Sequence, residues 1–230
     1  MSFSVTLPTV LVNNLRRRLN LMKHLALAMT LAFSAISSAN LVVNGSFESP
    51  DVVATSDDGL GTYWYVRNGT SADGWTRSGS QWTWLDSRPG KWMASDGEQY
   101  TEVESGYAGS ISQTIATWAG QSYRLTFDYA ANPYLSSTNP DDSLRLYLNG
   151  SAFAYVDGSD STTDDLDWTT YAYVFTASST STELRFQDGY TNFPYHGGFL
   201  DNVTMVAVPE PATLGVLGLG LVSLIRRRRK

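Results

Sequence analysis

The sequence contains no cysteine. A disulfide framework, a thiol nucleophile and a thiolate-bound metal are excluded, so stability must come from packing or a bound ion. Histidine is almost as scarce, with only His24 and His196 in 230 residues. No G-x-S-x-G or H-E-x-x-H pattern accompanies them, and hydrolytic chemistry of those kinds has no motif to rest on. A glycosidase needs only two carboxylates, but no pair stands out among 22 acidic residues. The expected protein is not an enzyme. Basic residues are sparse in the body of the chain. From Asn40 to Pro211 the seven cations Arg67, Arg77, Arg88, Lys91, Arg124, Arg145 and Arg185 face all 22 acidic residues, a formal charge of −15. Nucleic acid and anionic headgroups are disfavoured partners for such a body, whereas neutral polysaccharide and divalent cations are not.

Helical periodicity is also lacking between Asn40 and Ala207. Short alternating runs bounded by Gly, Asn, Asp and Ser take its place and read as strands. Tyr123, Leu125, Phe127 and Tyr129 alternate with Arg124, Thr126 and Asp128, as in a strand with one buried face. Leu144, Leu146 and Leu148 repeat the pattern, Asn149-Gly150 supplies a two-residue hairpin turn, and Phe153 to Val156 returns. Tyr171, Tyr173 and Phe175, then Leu184 and Phe186, then Phe199 to Val206 complete the set. Many short strands with no long helix indicate an all-β fold of two packed antiparallel sheets. About 170 residues suffice for one such domain, spanning 40–207.

Both ends of the chain differ from this body. Met22-Lys23-His24 opens a cationic stretch, Leu25 to Ile36 is apolar, and Ser37-Ser38-Ala39 offers small residues for cleavage. That is the layout of an export signal peptide over residues 1–39, leaving Asn40 as the first mature residue. Residues 1–21 with Arg16-Arg17-Arg18 only lengthen its cationic part, which favours a translation start at Met22 over a twin-arginine signal. At the other end, 208–230 reads Val208-Pro209-Glu210-Pro211, an uncharged run from Ala212 to Ile225, and Arg226-Arg227-Arg228-Arg229-Lys230. The prolines keep the chain extended and open to another protein's active site. As a transmembrane helix the 14-residue run rises roughly 21 Å against a hydrocarbon core of roughly 30 Å. The bilayer must thin or the arginines must snorkel. By the positive-inside rule the cationic cluster stays cytoplasmic and the preceding domain lies on the periplasmic side of the inner membrane. This tail resembles the PEP-CTERM sorting signal of Gram-negative bacteria. The resemblance implies recognition by an exosortase, cleavage near Pro209 to Pro211, and transfer of the domain to the cell surface or its release.

The body resembles the galactose-binding-like jelly rolls of carbohydrate-binding modules. The residues that carry this are Asn40-Leu41-Val42-Val43-Asn44-Gly45-Ser46-Phe47-Glu48, Gly74-Trp75, Ile111-Ser112-Gln113-Thr114, Ala119-Gly120-Gln121-Ser122-Tyr123 and Gly198-Phe199-Leu200-Asp201-Asn202-Val203. The resemblance implies one structural calcium held by Glu48 and Asp201 with the Ser46 carbonyl, where the alternative is carboxylates serving only backbone hydrogen bonds. Calcium wants six to eight hard oxygens, so two carboxylates fall short of a full site.

Six of the seven tryptophans, Trp64, Trp75, Trp82, Trp84, Trp92 and Trp118, precede residue 120, together with Tyr63, Tyr65 and Tyr100. Exposed indoles beside amides and carboxylates suit the flat C–H faces of sugars. Trp75 is expected in the core. Trp82 and Trp84, on one face of a strand, and Trp92, at a rim after Pro89-Gly90, are the candidates for a polysaccharide platform, or else they too are core. The aspartates of the stretch from Asp157 to Asp167 lack the spacing of a calcium loop and read as solvated. His196 reads as a polar loop residue. A glycan-binding module of the extracellular polysaccharide is the leading expectation. A structural or adhesive biofilm protein without a defined glycan is the alternative, and a polysaccharide hydrolase is the minor one.

Overall fold

The computed structural model describes residues 39–52, 56–57, 63–68, 71–78, 81–86, 92–103, 109–133, 143–158, 161–189 and 197–209, with backbone alone for 56–57, 63–68, 71–72 and 81–86. Thirteen strands are described: β1 Ser56–Asp57, β2 Tyr63–Asn68, β3 Ser71–Ala72, β4 Trp75–Ser78, β5 Gln81–Asp86, β6 Gln99–Glu102, β7 Ser110–Ala116, β8 Ser122–Ala130, β9 Ser143–Leu148, β10 Ser151–Asp157, β11 Thr169–Thr176, β12 Ser181–Asp188 and β13 Phe199–Ala207. They form a seven-stranded sheet in the order β1-β2-β5-β6-β13-β8-β11 and a six-stranded sheet in the order β10-β9-β12-β7-β4-β3. All pairings are antiparallel. From β7 onward the chain crosses repeatedly between the sheets, which gives a two-sheet sandwich with jelly-roll-like connections.

Alternation decides the core. Tyr123, Leu125, Phe127 and Tyr129 of β8 are buried, as are Leu144 and Leu146 of β9, Leu184 and Phe186 of β12, and Val203 and Met205 of β13. Between the sheets runs an aromatic column: Phe47 lies 5.5 Å from Trp75, Trp75 6.2 Å from Phe186, and Phe186 5.0 Å edge-on from Phe127. The Trp75 indole N–H donates to the Asn44 carbonyl at 3.0 Å, so its one polar atom is satisfied inside the core. The turn between β9 and β10 has Asn149 and Gly150 at φ 48° and 78°, the conformation of a two-residue hairpin turn that these residues tolerate best.

The opening segment closes the sandwich. Leu41 N–H donates to the Met205 carbonyl and Val203 N–H to the Gly45 carbonyl. A Cβ on Gly45 would stand 2.0 Å from the Val203 carbonyl oxygen, so only glycine lets the segment lie against β13. Gly45→Ala is expected to cost roughly 3 kcal/mol, read as a fall in melting temperature of about 6–12 °C. An unchanged melting curve would mean that this approach is not needed.

Candidate functional site

The first and last parts of the domain converge on one loop, Ser95 to Gln99. Glu48 Oε1 accepts the N–H groups of Glu98 and Gln99, both at 2.7 Å. Gly97 permits this, because its φ is +73° and a Cβ would lie 2.4 Å from Glu48 Oε1. Asp201 Oδ2 accepts Asp96 N–H at 2.8 Å and Oδ1 accepts Asn202 N–H at 2.7 Å. Asp128 adds a third anchor: its Oδ2 accepts from the Ser95 hydroxyl and, at 3.0 Å, from Asn202 Nδ2, while Oδ1 accepts from Thr170. The Gln99 side chain ties the same loop to the opening segment, donating to the Phe47 and Pro50 carbonyls and accepting Val52 N–H.

Asp201 is fully buried, at 0% exposure. Burial pushes its carboxyl up to about 8, with the charge of Asp96 adding to the rise, against the lowering effect of the Asp96, Asn202 and Ser95 N–H donors. Tyr100 nearby is raised by burial and then by the charges of Asp201 and Glu102. Asp201 thus accepts N–H donors that suit its ionised form while burial favours its protonated form. Among the described residues no group of three or more His, Asp or Glu side chains is gathered as metal ligands. Ser46 lies in the same opening turn as Glu48.

The tryptophans divide. Trp75 is in the core. Trp92 is not at a rim: it is 2% exposed, packs 5.7 Å from Phe199, and donates its indole N–H to the Thr163 carbonyl at 3.2 Å. The reason is the stretch after β10. Thr162 and Asp165 bridge to one another, Asp164 and Asp165 face solvent, and buried Leu166 and half-buried Trp168 join Trp92, Tyr100 and Phe199 in a second small core. A ring enclosed in this way offers no face to a sugar. Trp82 and Trp84 occupy alternate positions of β5, opposite Arg67 and Tyr65 of β2 in register. The placement of their rings, like Trp64 and His196, lies outside the described residues.

Two surfaces were not singled out by sequence. On the six-stranded sheet the Arg185 guanidinium lies 4.0 Å from the Tyr147 ring centroid and donates to Gln187 Oε1 at 2.7 Å. Tyr155, 50% exposed on the edge strand β10, is paired with Arg145 of β9. Trp118, in the turn from β7 to β8, is 78% exposed. Alternation could have placed Tyr147 with Arg145 on the face opposite Leu144, Leu146 and Leu148, but the stacking partner comes from a strand about 40 residues away.

A family described as "Protein of unknown function (DUF642)" matches residues 40–206, and the PEP-CTERM protein-sorting motif matches residues 207–230. No curated protein matches the chain. Among solved structures, the chain is similar to a family 35 carbohydrate-binding module from Clostridium thermocellum, at 15% identity and TM-score 0.38 over 63% of this chain and 92% of that one. It is similar to TmCBM61, determined in complex with β-1,4-galactotriose, at 16% identity and TM-score 0.44 over 74% and 100% of the two chains. A family 35 module from an environmental isolate gives 15% identity and TM-score 0.41 over 64% and 99%.

Proposed function

Since the chain belongs to the DUF642 family and ends in a PEP-CTERM sorting motif, we propose that it is an exported, exosortase-processed protein whose β-sandwich binds extracellular polysaccharide. In this reading residues 1–39 direct export and are removed. The run from Ala212 to Ile225 then holds the chain in the inner membrane with the sandwich on the periplasmic side, and an exosortase cuts near Pro209 to Pro211.

One observation carries the sorting reading: the motif begins where the fold ends. β13, a central strand of the seven-stranded sheet, finishes at Ala207, and the motif match starts at the same residue. Val208 still donates its N–H to the Ser122 carbonyl, so a cut beyond it removes the tail and leaves all the described strands in place.

For the ligand, the acid-rich body favours a neutral glycan, and Trp82 with Trp84 on β5 supplies the aromatic surface. Glu48 and Asp201, helped by the Ser46 carbonyl, hold one structural calcium that fastens the Ser95 to Gln99 loop to both ends of the domain. The test of the ligand is retention of the domain in gels containing single neutral polysaccharides. Changing Trp82 and Trp84 together to Ala is expected to weaken retention about tenfold or more with the fold intact. Self-association with no retention on any glycan would instead mark a matrix protein without a defined ligand.

A further inference from the structure

The end of the sandwich from which the sorting segment leaves differs from the opposite end. The β7–β8 turn and the β11–β12 turn are joined there by hydrogen bonds from Thr117 N to Thr180 O and from Gly120 N to Ala177 O. Gln121 links the exposed Trp118 to the departing chain, since its N–H donates to the Trp118 carbonyl at 3.0 Å and its Nε2 to the Val208 carbonyl at 2.6 Å. No charged residue occurs in Thr117 to Gln121, in Asn149-Gly150 or in Ala177 to Thr180. A groove of about 440 Å³ opens beside these turns, lined by Phe153, Phe175, Leu148 and Ala177 together with serine, threonine and asparagine. Among the described residues, exposed Arg124, the third residue of β8, is the cation nearest this end. On the described strands the acidic residues toward this end are Glu183, third in β12, Asp86, last in β5, and Asp57, last in β1, with Asp73 in the turn before β4.

The opposite end is acidic. β10 and β12 finish there at Asp157 and Asp188, the loop with Asp164, Asp165 and Asp167 follows β10, and Asp128 lies near the far end of β8.

From this polarity we infer that the Trp118 turn is a membrane-contacting surface: before processing it rests in the lipid interface and holds the Pro-Glu-Pro segment at the bilayer surface. The inference rests on the sorting reading, in which Ala212 enters the membrane. Only three residues separate Val208 from Ala212, so fully extended chain spans roughly 14 Å between them. The turn bonded to Val208 is therefore tethered within reach of the headgroup region, which is about 5–7 Å deep on each side. Tryptophan is the side chain that favours this zone, with an apolar body and one N–H donor. The uncharged turns lose little on approaching it, and Asp128, Asp157, Asp164, Asp165, Asp167 and Asp188, which anionic headgroups would repel, lie at the far end.

The absence of cysteine makes the test direct. Full-length chain carrying Ser179→Cys or Asp164→Cys is labelled with an environment-sensitive fluorophore. It is reconstituted into vesicles of phosphatidylethanolamine and phosphatidylglycerol that contain a headgroup-attached quencher. The expected result is that both proteins float with the vesicles, that the label at 179 is quenched severalfold more than the label at 164, and that Trp118→Ser removes most of the difference. Flotation with equal quenching of the two labels would overturn the inference and leave the anchor intact. Failure to float would overturn the anchor reading and the inference with it. Quenching at 179 that arises only when an exosortase shares the vesicle would place the turn on that enzyme and not on lipid, which also overturns it.

Discussion

Chelation of calcium at pH 8 is expected to lower the melting temperature of the sandwich by about 10 °C, and chelation at pH 5 by much less. The asymmetry comes from Asp201. Its carboxyl titrates at about 8 in the fold against an ordinary 3.8, chiefly because it is buried. Below pH 3.8 the group is protonated in both states and costs nothing. As pH rises the unfolded chain ionises first, so stability falls until the folded carboxyl also ionises near pH 8. The loss is on the order of several kcal/mol at most, and a bound cation cancels it by stabilising the ionised form in place. Asp201→Asn separates these effects, since its side chain carries no charge to desolvate or to offer a cation. Its melting temperature should be lower than that of the calcium-loaded protein, insensitive to chelator, and nearly flat from pH 5 to 8. Glu48→Ala should also abolish the response to calcium, and should loosen the loop by removing the acceptor of the Glu98 and Gln99 N–H groups. A wild-type melting temperature unmoved by chelator at pH 8 would remove calcium from this description.

Replacing Pro209, Glu210 and Pro211 together by Ala is expected to abolish processing altogether while leaving the sandwich unchanged. The two halves of that expectation have separate causes. Alanines favour helix where the prolines would keep the chain extended, which would take the segment away from an enzyme that must grip it. The fold is indifferent, because among the described residues its last strand ends at Ala207 and the last backbone hydrogen bond in this region is made by Val208. Full-length protein should accumulate in the inner membrane with a domain that melts within about 1 °C of the wild type. Continued cleavage of this variant would show that the cut does not depend on the motif.

Much of the sandwich is legible in sequence because its signals are local. Tyr123 to Tyr129 alternate about one buried face, Asn149-Gly150 accepts positive φ, and Trp75 belongs to a buried aromatic column. The candidate site is legible only at its ends. Glu48 and Asp201 stand in recognisable opening and closing phrases, but the Ser95 to Gln99 loop that both of them hold has no alternation and no motif, and Asp128 reads simply as the polar side of a strand. Trp92 fails for a related reason. Its surroundings include Leu166 and Trp168, more than 70 residues away, and no local pattern announces that a loop rich in aspartate will cover it. The exposure of Trp118 is likewise a property of two turns brought together, not of the residues beside it.

The most direct test of the central claim is the intact mass and fractionation of the natively expressed protein, with and without the host's exosortase. The expected result is a chain lacking both the leader and the segment beyond Pro-Glu-Pro, found outside the inner membrane only when the enzyme is present. Uncut protein retained in the inner membrane of both strains would contradict it and reduce the tail to an anchor.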